Sequence, residues 1–190
     1  MAEDSKGREA AWPYVEAANP GYPVLLDQGH VVATLYDTVN VPAGIWIDEQ
    51  GRVVRGPELA SAQQRAPGGD ERVPHQKYLN ALRDWVKRGA DSIYVRQRAR
   101  VGAPEGAAAE AAAEAEASFR LGVYLHSQGH AAEAIPHFKH AHELRPENLN
   151  YKRQAWNLGD AQRDYGTTMQ DERARGIPMH LPLDLPDLPG

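Results

Sequence analysis

The sequence contains no cysteine. That excludes disulfides, thiolate metal sites and cysteine nucleophiles within this polypeptide. Phenylalanine occurs only twice, and Val, Leu, Ile and Phe together supply 35 of the 190 residues, too few for one large core. The 42% hydrophobic content is carried largely by 29 alanines. No apolar run approaches the roughly 20 residues that span a bilayer. The start, Met1 to Lys6, is polar and lacks the apolar segment of a secretory signal. With 21 basic against 26 acidic residues and a net charge of −5, there is no basic excess to attract a phosphate backbone. The expectation is a soluble, cytoplasmic chain with no nucleic-acid or membrane partner, built of small cores joined by exposed helix.

What is present has clear local signals. Residues 8–18 read as a short helix closed by Asn19-Pro20-Gly21, with Pro13 expected in its first turn, where a missing N–H costs little. Val24-Leu25-Leu26 is a short extended run, and Asp27-Gln28-Gly29 turns it. Val31, Val32, Leu35 and Tyr36 mark one amphipathic helical segment. Ala43–Asp48 and Arg52–Arg55 flank the turn Asp48-Glu49-Gln50-Gly51, which predicts a hairpin with Ile45 and Ile47 on one face and Trp46 on the other. Residues 56–74, rich in Pro, Gly and charge, read as irregular loop. Tyr78, Leu79, Leu82, Trp85 and Val86 stripe a helix over 75–88 that Gly89 ends. The Ala/Glu stretch 103–117 is helical by propensity and is expected to bury almost nothing. Helices are predicted at about 118–128, 131–144 and 148–165. The prolines at 178, 182, 186 and 189 bar regular helix from the last fifteen residues.

The segment Ala115–Asn148 has the spacing of a 34-residue helix–turn–helix and resembles a tetratricopeptide repeat. Its signature positions are Gly122, Ala134, Phe138, Ala141 and Pro146. Small residues at 122 and 134 let two helices approach closely, Phe138 fills the space between them, and Pro146 stops the second. Ser118 stands where the repeat usually has a large aromatic. One repeat cannot bury its own faces, so helix 148–165, through Tyr151, Ala155, Trp156 and Leu158, is expected to cap it, unless a partner chain does. Five of the eight histidines, at 126, 130, 137, 140 and 142, lie in this hairpin. His126 and His130 are four apart, but Gly129 intervenes and no further ligand completes a set, so solvated helix-end histidines and no metal are expected.

Upstream, Tyr22-Pro23-Val24-Leu25-Leu26-Asp27, the helix through Tyr36, and Val39 to Val54 resemble the thioredoxin-like family, closest to the ResA/TlpA type of redoxin. The resemblance covers about residues 5–90. It implies that the Val41-Pro42 bond is the cis-proline that faces the active site in that fold. It also implies thiol redox chemistry, yet the Trp-Ala-x-x-Cys-type motif of the family is absent. The chain is then a relative that lost its redox half, a chain read from a late start, or one whose upstream active site uses selenocysteine.

Other chemistry is thin. Ser5, His30 and Asp37 are present, but no nucleophile elbow or ordered triad frames them. Arg96, Arg98 and Arg100, after Lys87 and Arg88, form the one basic cluster and read as a solvated helix face. Trp12, Trp46, Trp85 and Trp156 lie on apolar faces and are expected to pack in cores or interfaces.

The expected fold class is α/β plus all-α. Residues 1–90 form an incomplete thioredoxin-like unit, 91–114 a helical linker, 115–165 a repeat-like hairpin with capping helix, and 166–190 a Pro-rich tail. No catalytic residue, cofactor or metal is assigned. The functional expectation is a redox-inactive scaffold with a protein-interaction surface. The alternative is the C-terminal portion of a thiol or selenol oxidoreductase. Lacking the family's first strand, Ile45, Trp46 and Ile47 should form an unpaired apolar edge with no protecting lysine, bulge or proline. That edge is the expected site of a homodimer, unless the N-terminal segment or the Leu-Pro tail folds back over it.

Overall fold

The computed structural model describes residues 1–60, 62–65, 72–96, 105–176 and 183–186. Helices and small antiparallel sheets both occur. The chain divides into two compact units, Met1–Val39 with Gly102–Met179 and Asn40–Val101 with His180–Gly190. The contacts therefore do not divide at residues 90, 114 and 165. The first 39 residues belong with the helical hairpin, and part of the tail belongs with the β-hairpin.

In the first unit, α1 (Arg8–Ala18) ends at Asn19, whose left-handed φ of 41° closes the helix. Its start at Arg8 places Pro13 inside the helix and not in the first turn. The short helix α2 (Val31–Leu35) is capped by Asp27, whose Oδ1 and Oδ2 accept from the N–H groups of Val31 and Ala33 at 2.8 and 2.9 Å. Such side-chain capping satisfies donors that a helix start leaves free. The long helix α4 (Ala107–Ser127) takes in the Ala/Glu stretch. This stretch was expected to bury almost nothing, but Ala112 and Ala115 are buried. Their small side chains let other backbone pack close, which composition alone does not reveal.

Helices α4 and α5 (Ala131–Leu144) form the hairpin. An ideal Cβ at Gly122 would lie 2.8 Å from Cε1 of Phe138, so only glycine admits that ring. Phe119, Ala134, Phe138 and Ala141 form the core with Ala115, Tyr151 and Ala155. Phe119 stacks on Tyr151 at 4.4 Å between ring centres.

The expected helix 148–165 is broken into α6 (Leu149–Leu158) and α7 (Ala161–Tyr165). The break falls at Gly159-Asp160, where the Asp160 side chain accepts from the Arg163 N–H at 2.8 Å and restarts the helix. Tyr151 and Ala155 enter the core, whereas Trp156 is only half-buried. A further helix, α8 (Met169–Ala174), lies in the range expected to be tail. It is held by Glu172, fully buried, whose Oε2 accepts from Nζ of Lys152 at 2.8 Å.

In the second unit, β1 (Ala43–Ile47) pairs antiparallel with β2 (Val53–Leu59). The Val41–Pro42 peptide bond just before β1 is cis. The register shifts between Gly44 and Trp46 and again between Trp46 and Ile47. Part of the expected loop 56–74 is ordered as strand. β2 runs on to Leu59, and β3 (Gln63–Arg65) pairs with β4 (Arg72–Pro74). Helix α3 (Gln76–Arg88) stops at Gly89 with φ 55°. The core gathers Trp46, Ala60, Tyr78, Ala81, Tyr94 and Leu185.

The Trp46 side chain is therefore in the core and not exposed, although among the described residues its strand pairs only with β2. It stacks on Trp85 at 4.9 Å, and its Nε1–H donates to the Tyr78 hydroxyl at 3.2 Å. Strand alternation then turns Ile47, 42% exposed, away from that core.

Candidate functional site

In the first unit, polar side chains gather around His30. The chain start runs beside Leu26. The Ala2 N–H donates to the Leu25 carbonyl and the Asp27 N–H to the Ala2 carbonyl, both at 2.8 Å. This short parallel bridge sets Glu3 and Ser5 beside the loop from Asp27 to His30. Ser5 lies in the turn that follows, and both the Glu3 and Ser5 side chains approach His30. His30, in left-handed conformation with φ 54°, turns its ring inward and is 2% exposed. Its Nε2 lies 2.9 Å from the Ser5 hydroxyl. Its Nδ1 lies 3.9 Å from Oε2 of Glu3, and the ring packs edge-on against Phe119 at 5.2 Å. Gln154 on α6 completes the clasp, accepting from the Ser5 N–H at 3.0 Å and donating to the Glu3 carbonyl at 3.2 Å.

The electrostatics follow from burial. Burial first, then the nearby Asp27 carboxylate, raises the Glu3 carboxyl from its ordinary value to about 7. Burial holds His30 below the usual imidazole range, although Asp27 and Asp4 act the other way. Among the described residues, Glu3 Oε2 and His30 Nδ1 are both buried without a hydrogen-bond partner. In mildly acidic solution, below the Glu3 value of about 7, this site favours a neutral carboxyl facing the imidazole.

Ser5 and His30 thus come together as hydroxyl and base, while Asp37 does not join them; it pairs with Arg145 at 2.9 Å. Glu3, which sequence reasoning passed over, takes the third position, and no local pattern signalled it, because Ser5 lies in a turn. The set stops short of a nucleophilic triad. The carboxylate lies beyond hydrogen-bond reach of Nδ1 and does not orient it. The cavity beside His30 encloses about 100 Å³, faces Asp37, Glu116, Arg145 and Tyr151, and does not include Ser5 in its lining. It has room for a few waters. The cluster is built to hold the N-terminal segment on the hairpin.

The remaining singled-out residues are placed as follows. His126 Nε2 is 2.9 Å from the Leu158 carbonyl, His130 pairs with Glu133 at 3.0 Å, and His140 with Glu114 at 2.7 Å. His126 and His130 therefore reach different partners. Among the described residues no three His, Asp or Glu side chains converge on a metal position. Of the basic cluster, Arg98 and Arg100 lie outside the described residues. Arg96 pairs with Glu58 at 2.8 Å and is no free cation. Outward, Tyr14 (80% exposed), Trp12, Tyr22, Leu25 and Leu35 stand in solvent, as do Leu121 and Tyr124 on α4. No family model, curated protein or solved structure matches this chain.

Proposed function

We propose that this chain is a redox-inactive, thioredoxin-like scaffold that presents a repeat-like helical hairpin to a protein partner. The observation that carries the reading is the state of the helical surface. The hairpin core is closed by α6 and the N-terminal segment, yet α1 buries no residue and α4 turns Leu121 and Tyr124 outward one helical turn apart. Neighbouring exposed apolar side chains of this kind offer surface that a partner can cover, which supports the reading. The absence of cysteine supports the redox-inactive half, because the thiolate is the nucleophile of disulfide exchange.

Two assays test the two halves. The purified chain should turn over neither insulin disulfide nor hydrogen peroxide above a buffer blank with metal removed; turnover overturns the redox-inactive reading. A partner retained from the source cells by the wild-type chain should be lost by the Leu121→Ser/Tyr124→Ser double variant with unchanged circular dichroism. Retention by both chains, or by neither, removes the hairpin as the contact surface. The second reading, part of a thiol or selenol oxidoreductase, rests on the likeness of Tyr22 to Val54 to the redoxin hairpin. An in-frame TGA upstream, preceded by codons for a Trp-Ala-type strand, would favour it.

A further inference from the structure

In the second unit the segment Leu183–Pro186 is bound as a ligand is bound. Leu185 is 7% exposed in the core beside Trp46, Tyr78 and Tyr94, and Leu183 packs partly against the same cluster. Between them the Asp184 carbonyl accepts from Nη2 of Arg55. Arg55 is 2% exposed and fully committed. Its Nε donates to Glu58 at 2.6 Å, its Nη1 to the Tyr94 carbonyl at 2.9 Å, and its guanidinium lies 5.5 Å from the Trp46 ring centre. The Asp184 side chain points outward, 79% exposed, and meets Arg96 at 3.4 Å. Two leucines face in, one acidic side chain faces out, and a backbone carbonyl is clamped by a buried arginine. That is how an extended peptide is read: main-chain bonds hold it and alternate side chains fill pockets.

We infer that the groove formed by Arg55, Trp46, Tyr78, Tyr94 and Arg96 is a peptide-binding site for an extended Leu-acidic-Leu-Pro segment, and that residues 183–186 occupy it as a built-in ligand. The sequence carries this chemistry in more than one copy, because Leu-Pro recurs at 181–182, 185–186 and 188–189. A tethered segment meets its groove at an effective concentration on the order of millimolar. The tail therefore excludes a weaker partner and yields to one that matches it. The inference is independent of the hairpin surface.

The experiment uses the full chain and a fluorescein-labelled peptide with the sequence of residues 181–190, followed by anisotropy. In the Leu183→Ser/Leu185→Ser chain the built-in ligand is weakened and the groove is unchanged. That chain should bind the peptide about tenfold or more tighter than the wild-type chain does, because its groove is free. A peptide carrying Leu185→Ser should lose that binding, and quenching of tryptophan emission should report occupancy beside Trp46. Equal binding by both chains, or binding by neither, overturns the inference. So does a double variant that has lost its cooperative thermal transition, since the segment would then be a strand of the core and not a ligand. Light scattering reads whether the displaced tail enters a second copy, which would place the same recognition between molecules.

Discussion

Trp156 illustrates how a single atom sets the worth of a side chain. Its side chain is half-buried, yet among the described residues its Nε1–H is buried with no acceptor. Leaving such a donor unpaired costs about 1–3 kcal/mol. The core contact is made instead by Tyr151, whose ring stacks on Phe119. Trp156→Phe keeps most of the apolar contact and removes the stranded donor. Chemical denaturation should show it unchanged or up to about 1 kcal/mol more stable. A loss of about 2 kcal/mol or more would mean that the indole N–H has a partner in solution. Tyr151→Ala should be the severe substitution, losing about 3–5 kcal/mol as buried aromatic truncations do. An α6 variant in which Trp156→Ala is the costlier of the two would reverse this assignment.

At the scale of elements, the contact between the N-terminal segment and the hairpin is tuned by pH. The folded Glu3 carboxyl titrates at about 7, above its ordinary value of 4.5. Protonation therefore favours the fold: the full contribution is present below the unfolded value and is lost as pH rises through 7. By 1.36 kcal/mol per pH unit, the loss is up to about 3 kcal/mol. Glu3→Gln removes this dependence. It should be more stable than wild type at pH 8 and nearly equal at pH 5; the same difference at both values would show that Glu3 does not titrate on folding.

His142 acts in the other direction. Burial lowers it to about 4, with Lys152 acting the same way and the Tyr151 backbone hydrogen bond and Glu172 opposing. Its contribution is present above the ordinary 6.5 and is lost as pH falls toward 4. Stability of this unit should therefore peak in mildly acidic solution, and His142→Gln should flatten the acid limb. An acid limb unchanged in that variant would assign the loss to other groups.

For the whole molecule, the sheet edge gives the last expectation. Among the described residues β1 pairs only with β2, and Ile47 is exposed at the strand's end. A bare strand edge is a template for a second chain. We expect an antiparallel β1–β1 dimer about a two-fold axis. Light scattering at micromolar concentration should give twice the chain mass, falling to one chain mass in Ile47→Lys. A folded wild-type monomer removes the dimer. Because Trp46 is core, stacked on Trp85 and clustered with Leu185, Ile45 and Ile47 are the residues to test. Lysine at Trp46 would break the unit itself.

Much of the local structure was legible in the sequence because it is set by neighbours in the chain. The stripe of α3 and the turn Asp48 to Gly51 each act over a few residues and form where expected, except that Val86 turns outward at 81% exposed. The break at Gly159-Asp160 was missed by the apolar pattern, which ran on as one helix over 148–165, although a glycine followed by a capping aspartate ends one helix and starts another. What only the tertiary structure decided depends on residues far apart. Glu3, Ser5 and His30 meet because Ala2 pairs with Leu26. Burial of the alanines in α4 needs small residues facing closely packed backbone, and propensity is blind to that. Arg55 finds the Asp184 carbonyl 129 residues away, and no periodicity records that meeting. Local propensity and spacing set the elements; the pairing of buried polar groups across the chain, each needing a partner once water is gone, determined which elements share a core.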